Sequence, residues 1–444
     1  MVKRTDSSGK KEIINRFFLQ RIVIVLLFLL AFSPGVHSQD IKYVRKQLDI
    51  LCGPEFHGRG YYKNGDRIAA EHLAGEFKKA GLQKFGPDYF QEYSFNVNSL
   101  EEVSVEINGN ELVFGDDYMM NATSGSSRGI FKPLFIDAGL MRKPGSLLRM
   151  LKDKGPDNLV VIDSTGLNNK DLFSFLKALL LSDQHDIAGL IEVYSNTPGC
   201  RVGRVELPWP YIQLNRKALP ETINSIELNI KNKYYDKYST QNVIGYIPGQ
   251  TKKTIVYTAH YDAMGSFGEG NYFPGASDNA SGTCMVLDLA RYFSLIEKPY
   301  YSYAFMLFSG EEAGLMGSKH YVENPLFPLE DIKLVVNLDM VGTGQNGVLL
   351  FNGPQRPLEA AIVQKINEQE DYMKEIIQRD GSANSDHWPF HLKNVPAIFF
   401  LTTGRAGGGH NIFDTADTLP LYAYENLFRL VLEINDELQR QEAE

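Results

Sequence analysis

Leu307-Phe308-Ser309-Gly310-Glu311-Glu312-Ala313-Gly314-Leu315-Met316-Gly317-Ser318 sets two adjacent carboxylates between glycines, just after an apolar run. Ala304 to Phe308 reads as a short buried strand. It ends at Ser309-Gly310, so both glutamates emerge at the carboxyl end of a strand, where open α/β sheets bind their ligands. Neighbouring side chains in an extended or turning segment point different ways, so one glutamate can hold a metal while the other faces a reacting water. The competing reading is a solvated acidic pair opening a surface helix, since acidic residues favour helix N-termini. This stretch alone leaves both readings open, and the His and Asp pattern elsewhere decides between them.

Working outward, His260 follows the apolar run Ile255 to Ala259, and Asp262 comes two residues later. A metal-bound imidazole needs its second nitrogen oriented by an acceptor, and Asp262 is placed to be that acceptor. Asp278 lies in Gly275-Ala276-Ser277-Asp278-Asn279-Ala280-Ser281-Gly282, where small residues permit close backbone approach and a helix begins just after the carboxylate. Its alternative role is a helix N-cap. Asp339 closes the run Leu334 to Leu338, and His410 follows Gly407-Gly408-Gly409 in a loop able to fold back. Singly, each has a structural explanation. Those explanations do not account for His260, Glu311-Glu312 and Asp339 closing successive buried runs. Three carboxylates and two imidazoles without thiolate suit two divalent ions sharing one carboxylate. The mixed donors favour zinc, with manganese or cobalt as alternatives. Such ions sit roughly 3.5–4 Å apart and lower the pKa of a bridging water, for which the remaining carboxylate can act as general base.

From Asn242 onward, strands alternate with helical stretches at Gly282–Leu295, Leu315–Val322, Leu358–Glu368 and Tyr422–Gln439. That order predicts an α/β fold, a mainly parallel mixed sheet with helices on both faces. Helical spacing also marks Asp40–Leu51 and Asn64–Ala80, the latter stopped by Gly81. Between them lies Phe56-His57-Gly58-Arg59-Gly60, whose His57 is a weak site candidate. From about Tyr93 the sequence alternates with period two, with turns at Asn108-Gly109 and Gly115-Asp116. Later runs begin at Leu159, Gly189 and Pro210, and Lys170–Leu181 and Arg216–Leu228 read as helical or turn-like between them. No cluster of His, Asp or Glu marks this β-rich smaller module for chemistry.

Residues 1–21 carry six basic and two acidic residues before the apolar run Ile22 to Phe32, which leads to Ser33-Pro34-Gly35-Val36-His37-Ser38. This predicts a cleavable signal over 1–38 and an exported chain with no membrane span after cleavage. The alternative is an uncleaved anchor. Formal net charge is −9 before cleavage, and an acidic surface repels phosphate backbones, so nucleic acid is excluded as a partner. Cys52, Cys200 and Cys284 are too few and too scattered for a thiolate metal site, and permit one disulfide at most.

Thr258-Ala259-His260-Tyr261-Asp262, Gly275 to Gly282, Phe308 to Gly314, Asn337-Leu338-Asp339-Met340 and Ser385-Asp386-His387-Trp388-Pro389-Phe390 resemble the successive motifs of the co-catalytic zinc aminopeptidase family. That family also contains glutamate carboxypeptidases and glutaminyl cyclases. The resemblance covers about residues 40–95 and 238–440. It implies one zinc held by Glu312 and His410, a second held by His260 and Asp339, and Asp278 bridging both. It implies Glu311 as the general base and Asp262 as the partner of His260. Similar stretches in the family lie beside the substrate, so the resemblance gives His387, with Asp386, a contact to the tetrahedral intermediate. The other reading is a hydrogen-bonded pair opening a turn. Arg405 either meets a substrate carboxylate or is an exposed loop arginine. The middle segment is similar to the protease-associated domain inserted in many members, giving 1–38 as signal, 39–93 with 239–444 as catalytic domain, and 94–238 as insert.

The function expected is a metallopeptidase acting on peptides, an aminopeptidase first. Carboxypeptidase, dipeptidase and glutaminyl cyclase activity are alternatives within the family. The short, continuous stretch Glu311 to Ser318 speaks against the cyclase. A non-catalytic binding protein on the same fold is the alternative of another class, and the full set of ligands and base speaks against it. The sequence is silent on oligomeric state.

Overall fold

The computed structural model describes residues 39–163, 187–195, 199–405 and 409–443. The segment read as a signal, 1–38, and the helical stretch Lys170–Leu181 lie outside them. Fourteen strands of the described residues join one sheet. In chain order they are β1 (Phe90–Ile107), β2 (Asn110–Glu111), β3 (Tyr118–Met120), β4 (Ser127–Ile136), β5 (Asn158–Asp163), β6 (Gly189–Tyr194) and β7 (Tyr211–Asn215). The remainder are β8 (Ile226–Ile247), β9 (Thr254–His260), β10 (Ser302–Phe308), β11 (Ile332–Leu338), β12 (Gly347–Phe351), β13 (Ile376–Arg379) and β14 (Ala397–Thr403). The helices are α1 (Ile41–Leu51), α2 (Gly65–Lys79), α3 (Ala138–Met141), α4 (Pro144–Lys154), α5 (Ser281–Ser294), α6 (Met316–Glu323), α7 (Pro357–Glu370), α8 (His387–Leu392) and α9 (Tyr424–Ala443).

The centre of the sheet is four parallel strands in the order β14-β11-β9-β10, as the alternation of strand and helix predicts. Every residue of β9 is buried, and β10 and β11 each have one partly exposed residue. A strand covered on both faces needs apolar side chains in both directions, hence the unbroken runs seen in the sequence. Alternate residues feed two layers. Tyr257, Ala259, Phe305, Leu307, Val336 and Leu338 pack toward α1, α2, α5, α7 and α9. Val256, Met306, Phe308 and Val335 pack toward Tyr321 and Val322 of α6 and Phe390 of α8. No helix among the described residues is long and apolar enough to cross a membrane.

β1 and β8 pair antiparallel along nearly their whole length, from Phe90↔Val243 to Ile107↔Ile226. One end of β8 pairs with β10 and the other with β4, which continues into the parallel strands β5, β6 and β7. The boundaries read at 94 and 238 therefore fall inside two continuous strands. Period-two alternation registers a strand but carries no mark of where one layer hands over to the next. Cys52, Cys200 and Cys284 are all free and buried.

Candidate metal centre

Because β10, β9 and β11 are adjacent and parallel, their carboxyl ends lie together. His260 is the last residue of β9, in register with Phe308 of β10, and Asp339 directly follows β11. Glu311 and Glu312 leave β10 through Gly310, whose φ of +66° is a left-handed conformation that favours glycine. Asp278 sits before α5, where the N-cap is Ala280 with no side-chain bond, so Asp278 does not cap the helix. His410 comes from the segment between β14 and α9.

His260 Nε2 stands 3.3 Å from Asp278 Oδ1 and 3.3 Å from Asp339 Oδ1. His410 Nε2 stands 3.1 Å from Asp278 Oδ2 and 3.2 Å from Glu312 Oε2. The two oxygens of Asp278 thus face different histidines. Potential ligand atoms within 4.8 Å of one another group as His260, Asp278 and Asp339; as Asp278, Glu312 and His410; and as His260, Glu311 and Glu312. The donors fit divalent zinc, being carboxylate and imidazole only. Glu312 Oε1 adds to the fit, since it is buried with no partner among the described residues.

Charge in the cluster is unbalanced. Burial, with Asp278 nearby, raises Glu312 to about 7. Burial raises Glu311 well above the usual range; His260 opposes this while Glu312, Asp386 and Asp339 add to it. Burial alone would lower both histidines. Hydrogen bonds to Asp278 and Glu312 instead raise His410 to about 11, and Asp339 and Glu311 raise His260 well above its ordinary value. Asp278 is held below the carboxylate range despite its burial, by hydrogen bonds from His260 and His410. Crowded carboxylates that resist ionising together are what a divalent cation relieves.

A surrounding layer fixes these groups. Asp262 accepts the backbone N–H of Glu311 through Oδ1 at 3.2 Å and that of Glu312 through Oδ2 at 3.3 Å. Its carboxylate is 3.6 Å from His260 Nδ1, and its carbonyl oxygen, at 3.1 Å, is the nearer acceptor. Asp262 therefore faces the imidazole with both its backbone carbonyl and its carboxylate, and the same carboxylate also holds the Glu311-Glu312 turn. Thr258 Oγ1 donates to Asn337 Oδ1, Asn337 Nδ2 to Ser385 Oγ, and Ser385 Oγ to Asp339 Oδ2, at 2.7, 2.8 and 2.7 Å. Asn279 donates to Leu338 O at 3.0 Å and accepts from Met340 N at 3.2 Å, joining the loops of Asp278 and Asp339. Asp414 accepts from the backbone N–H of Ser277 and of Asp278. Arg59, fully buried, donates to the carbonyls of Tyr261, Leu51, Pro274 and Gly275.

Of the remaining candidates, Asp386 lies near enough to the cluster to raise Glu311. Asp386 is buried, accepts from Ser318 Oγ, and is raised to about 7 chiefly by burial. His387 is buried with neither ring nitrogen bonded among the described residues; its ring lies 5.0 Å from that of Phe399, and burial lowers it to about 3. Arg405 is exposed. His57 packs edge-on against Tyr62 and is itself only half-buried, whereas Arg59 of the same loop is fully buried.

His260, Asp339 and the Glu311-Glu312 turn, at the ends of β9, β11 and β10, thus gather with Asp278 and His410 into a candidate cation site at the carboxyl edge of an α/β sheet. Residues 242–435 match Peptidase family M28. Among curated relatives, it is 28% identical over 231 residues to Aminopeptidase YwaD of Bacillus subtilis, covering 51% of this chain and 48% of the relative. It is 27% identical over 194 residues to a probable leucine aminopeptidase of Arthroderma otae, covering 38% and 49%. The chain therefore spans about half the length of these relatives. The fold is similar to that of BSAP, a zinc aminopeptidase from Bacillus subtilis, with a TM-score of 0.65 at 19% identity over 89% of this chain and 94% of that one. A peptidase M28 precursor from Shewanella amazonensis gives a TM-score of 0.64 at 16% identity over 88% and 91%.

Proposed function

We propose that this chain is an exported zinc-dependent aminopeptidase that removes N-terminal residues from peptides. In this reading 1–38 is the signal, 39–93 with 239–444 the catalytic domain, and 94–238 an inserted protease-associated-like domain. The observation that carries it is Asp278, whose two oxygens face His260 and His410 in two overlapping triads beside Glu311. His260 and Asp339 would hold one ion, Glu312 and His410 the other, and Asp278 both. When bound, the pair supplies Lewis acidity for the scissile carbonyl and makes a water more acidic.

The protein's own part is proton handling and position. Glu311 takes the proton of the attacking water and returns it to the leaving amine. Burial and neighbouring carboxylates raise its pKa, which suits a group that must both accept and release a proton. Asp262 keeps the two glutamates in their separate directions by holding the backbone of each.

The test is hydrolysis of aminoacyl chromogenic substrates and their N-acetylated counterparts by zinc-loaded protein, with and without a chelator. Cleavage of only the free-amine substrates, abolished by chelation, is expected. Equal cleavage of both sets removes the aminopeptidase reading. Pyroglutamate formed from an N-terminal glutamine peptide replaces it with cyclisation.

A further inference from the structure

Resting on the peptidase reading, this inference concerns what the substrate presents beyond its scissile bond. We propose that Arg201 and Arg204 form a carboxylate-recognition subsite beside the metal centre. The favoured substrates carry a carboxylate near the cleaved bond, from an acidic side chain or from the free C-terminus of a short peptide.

Gly199 to Arg204 form a strap between the loops that supply Glu312 and His410. At one end Cys200 N donates to His410 O at 3.2 Å, and a side-chain carbon at Gly199 would lie 3.6 Å from His410 Cβ. At the other, Arg204 Nη1 donates to the carbonyl of Ala313, next to Glu312, at 3.5 Å. In between, Gly203 O accepts from Asn98 N at 2.9 Å, and a Cβ at 203 would meet the Ala122 carbonyl oxygen at 2.1 Å. Asn98 Nδ2 in turn holds Ala122 O at 2.8 Å. Arg201 and Arg204 thus project from a segment pinned at three points.

Both arginines are exposed, and among the described residues neither has a carboxylate within ion-pair distance, although acidic residues outnumber basic ones by 54 to 45. Arg67, Arg291 and Arg429, by contrast, all pair with acids. Gly199 lines two cavities. One, of about 270 Å³, is lined by His410, Gly199 and Phe413; the other, of about 290 Å³, by Arg201, Asn121, Thr123 and Gln213. A peptide that touched His410 in the first and extended across Gly199 would come to Arg201 in the second. A guanidinium stays charged at any working pH and can grip a carboxylate with two parallel N–H bonds. The field argues the same way. Four carboxylates crowd the centre, so an anionic substrate would be repelled unless fixed positive charge stood at the rim.

The experiment compares kcat and KM for peptide pairs on the zinc-loaded full chain: free acid against C-terminal amide, and Glu against Gln beside the scissile bond. The wild type is expected to favour the carboxylate member of at least one pair, and which pair identifies the carboxylate's source. R201Q and R204Q should raise KM for that member roughly ten-fold or more, the scale of one charge-assisted bond, while leaving its neutral counterpart and the zinc content unchanged. Should either variant fold poorly, salt serves instead: wild-type KM for the carboxylate member should rise with ionic strength and that for the neutral one should not. Wild-type hydrolysis without preference, or equal losses on both members, overturns the subsite alone. No hydrolysis of any member by zinc-loaded protein overturns the peptidase reading and the subsite with it.

Discussion

Ser385 Oγ donates to Asp339 Oδ2 at 2.7 Å, which leaves Oδ1 of the same carboxylate 3.3 Å from His260. One oxygen is thereby committed to the protein and the other to the centre. Ser385→Ala should lower zinc affinity by about 10–100-fold, the usual cost of losing a hydrogen bond to a metal ligand. Zinc titration calorimetry measures this, and an unchanged affinity would show that Asp339 needs no such support.

Asp262→Asn replaces an acceptor of two backbone N–H groups by an amide with a single oxygen. One N–H of the Glu311-Glu312 turn then loses its partner, at a cost of about 1–3 kcal/mol. Urea unfolding should register that loss, and kcat should fall alongside it. Stability equal to the wild type would mean that the turn is held by its own backbone bonds.

Glu311→Gln keeps shape and removes the proton acceptor. Turnover should fall by about 10²–10⁴-fold while zinc content is retained, measured on the same preparation by hydrolysis and elemental analysis. Near wild-type turnover with zinc bound would assign the base elsewhere.

Asp66 supplies a pH dependence away from the centre. It is fully buried and accepts from Tyr238 Oη and Thr240 Oγ1 at 2.7 Å each. Burial raises it from 3.8 to about 6, against those hydrogen bonds. Between these two values the folded chain holds a proton that the unfolded chain has released, so this group makes stability fall as pH rises through the window. Above it the loss is complete and constant, at roughly 3 kcal/mol. In Asp66→Asn one hydroxyl can go on donating to the amide oxygen while the other turns to accept from the amide nitrogen. The stability difference between variant and wild type should therefore grow from pH 4 to 6 and then level off. A difference independent of pH would mean that Asp66 titrates as an ordinary carboxyl.

The sequence discloses the parallel core because strands buried on both faces cannot hide their composition: the runs ending at Ala259, Phe308 and Leu338 correspond to β9, β10 and β11. His260, Asp278, Glu311, Glu312, Asp339 and His410 stand out for the same reason, as polar residues at the ends of such runs or among small residues. The groups that hold them do not. Asp414 lies far along the chain from the residues it binds, and Ser385, although it opens a quoted motif, carries no sign that its partner is Asp339. Asn337 and Asn279 carried a faint signal, each beside an aspartate already singled out. Arg59 carried less, since a loop arginine reads as exposed until four carbonyls are found around it. The β1–β8 pairing was likewise invisible, because its partners are separated by the whole intervening module.

That pairing has a mechanical consequence. Two strands that run hydrogen-bonded from the central sheet into the outlying strands act as a beam rather than a tether. The register shifts near Phe95 and Leu100 are the interruptions in its ladder, so bending concentrates there. The strap from Gly199 to Arg204 is bonded to that beam at Asn98 and to the loops of the candidate metal site at Cys200 and Arg204. One wall of the cavity beside His410 is therefore anchored to the sheet through a segment that would otherwise hang as a free loop.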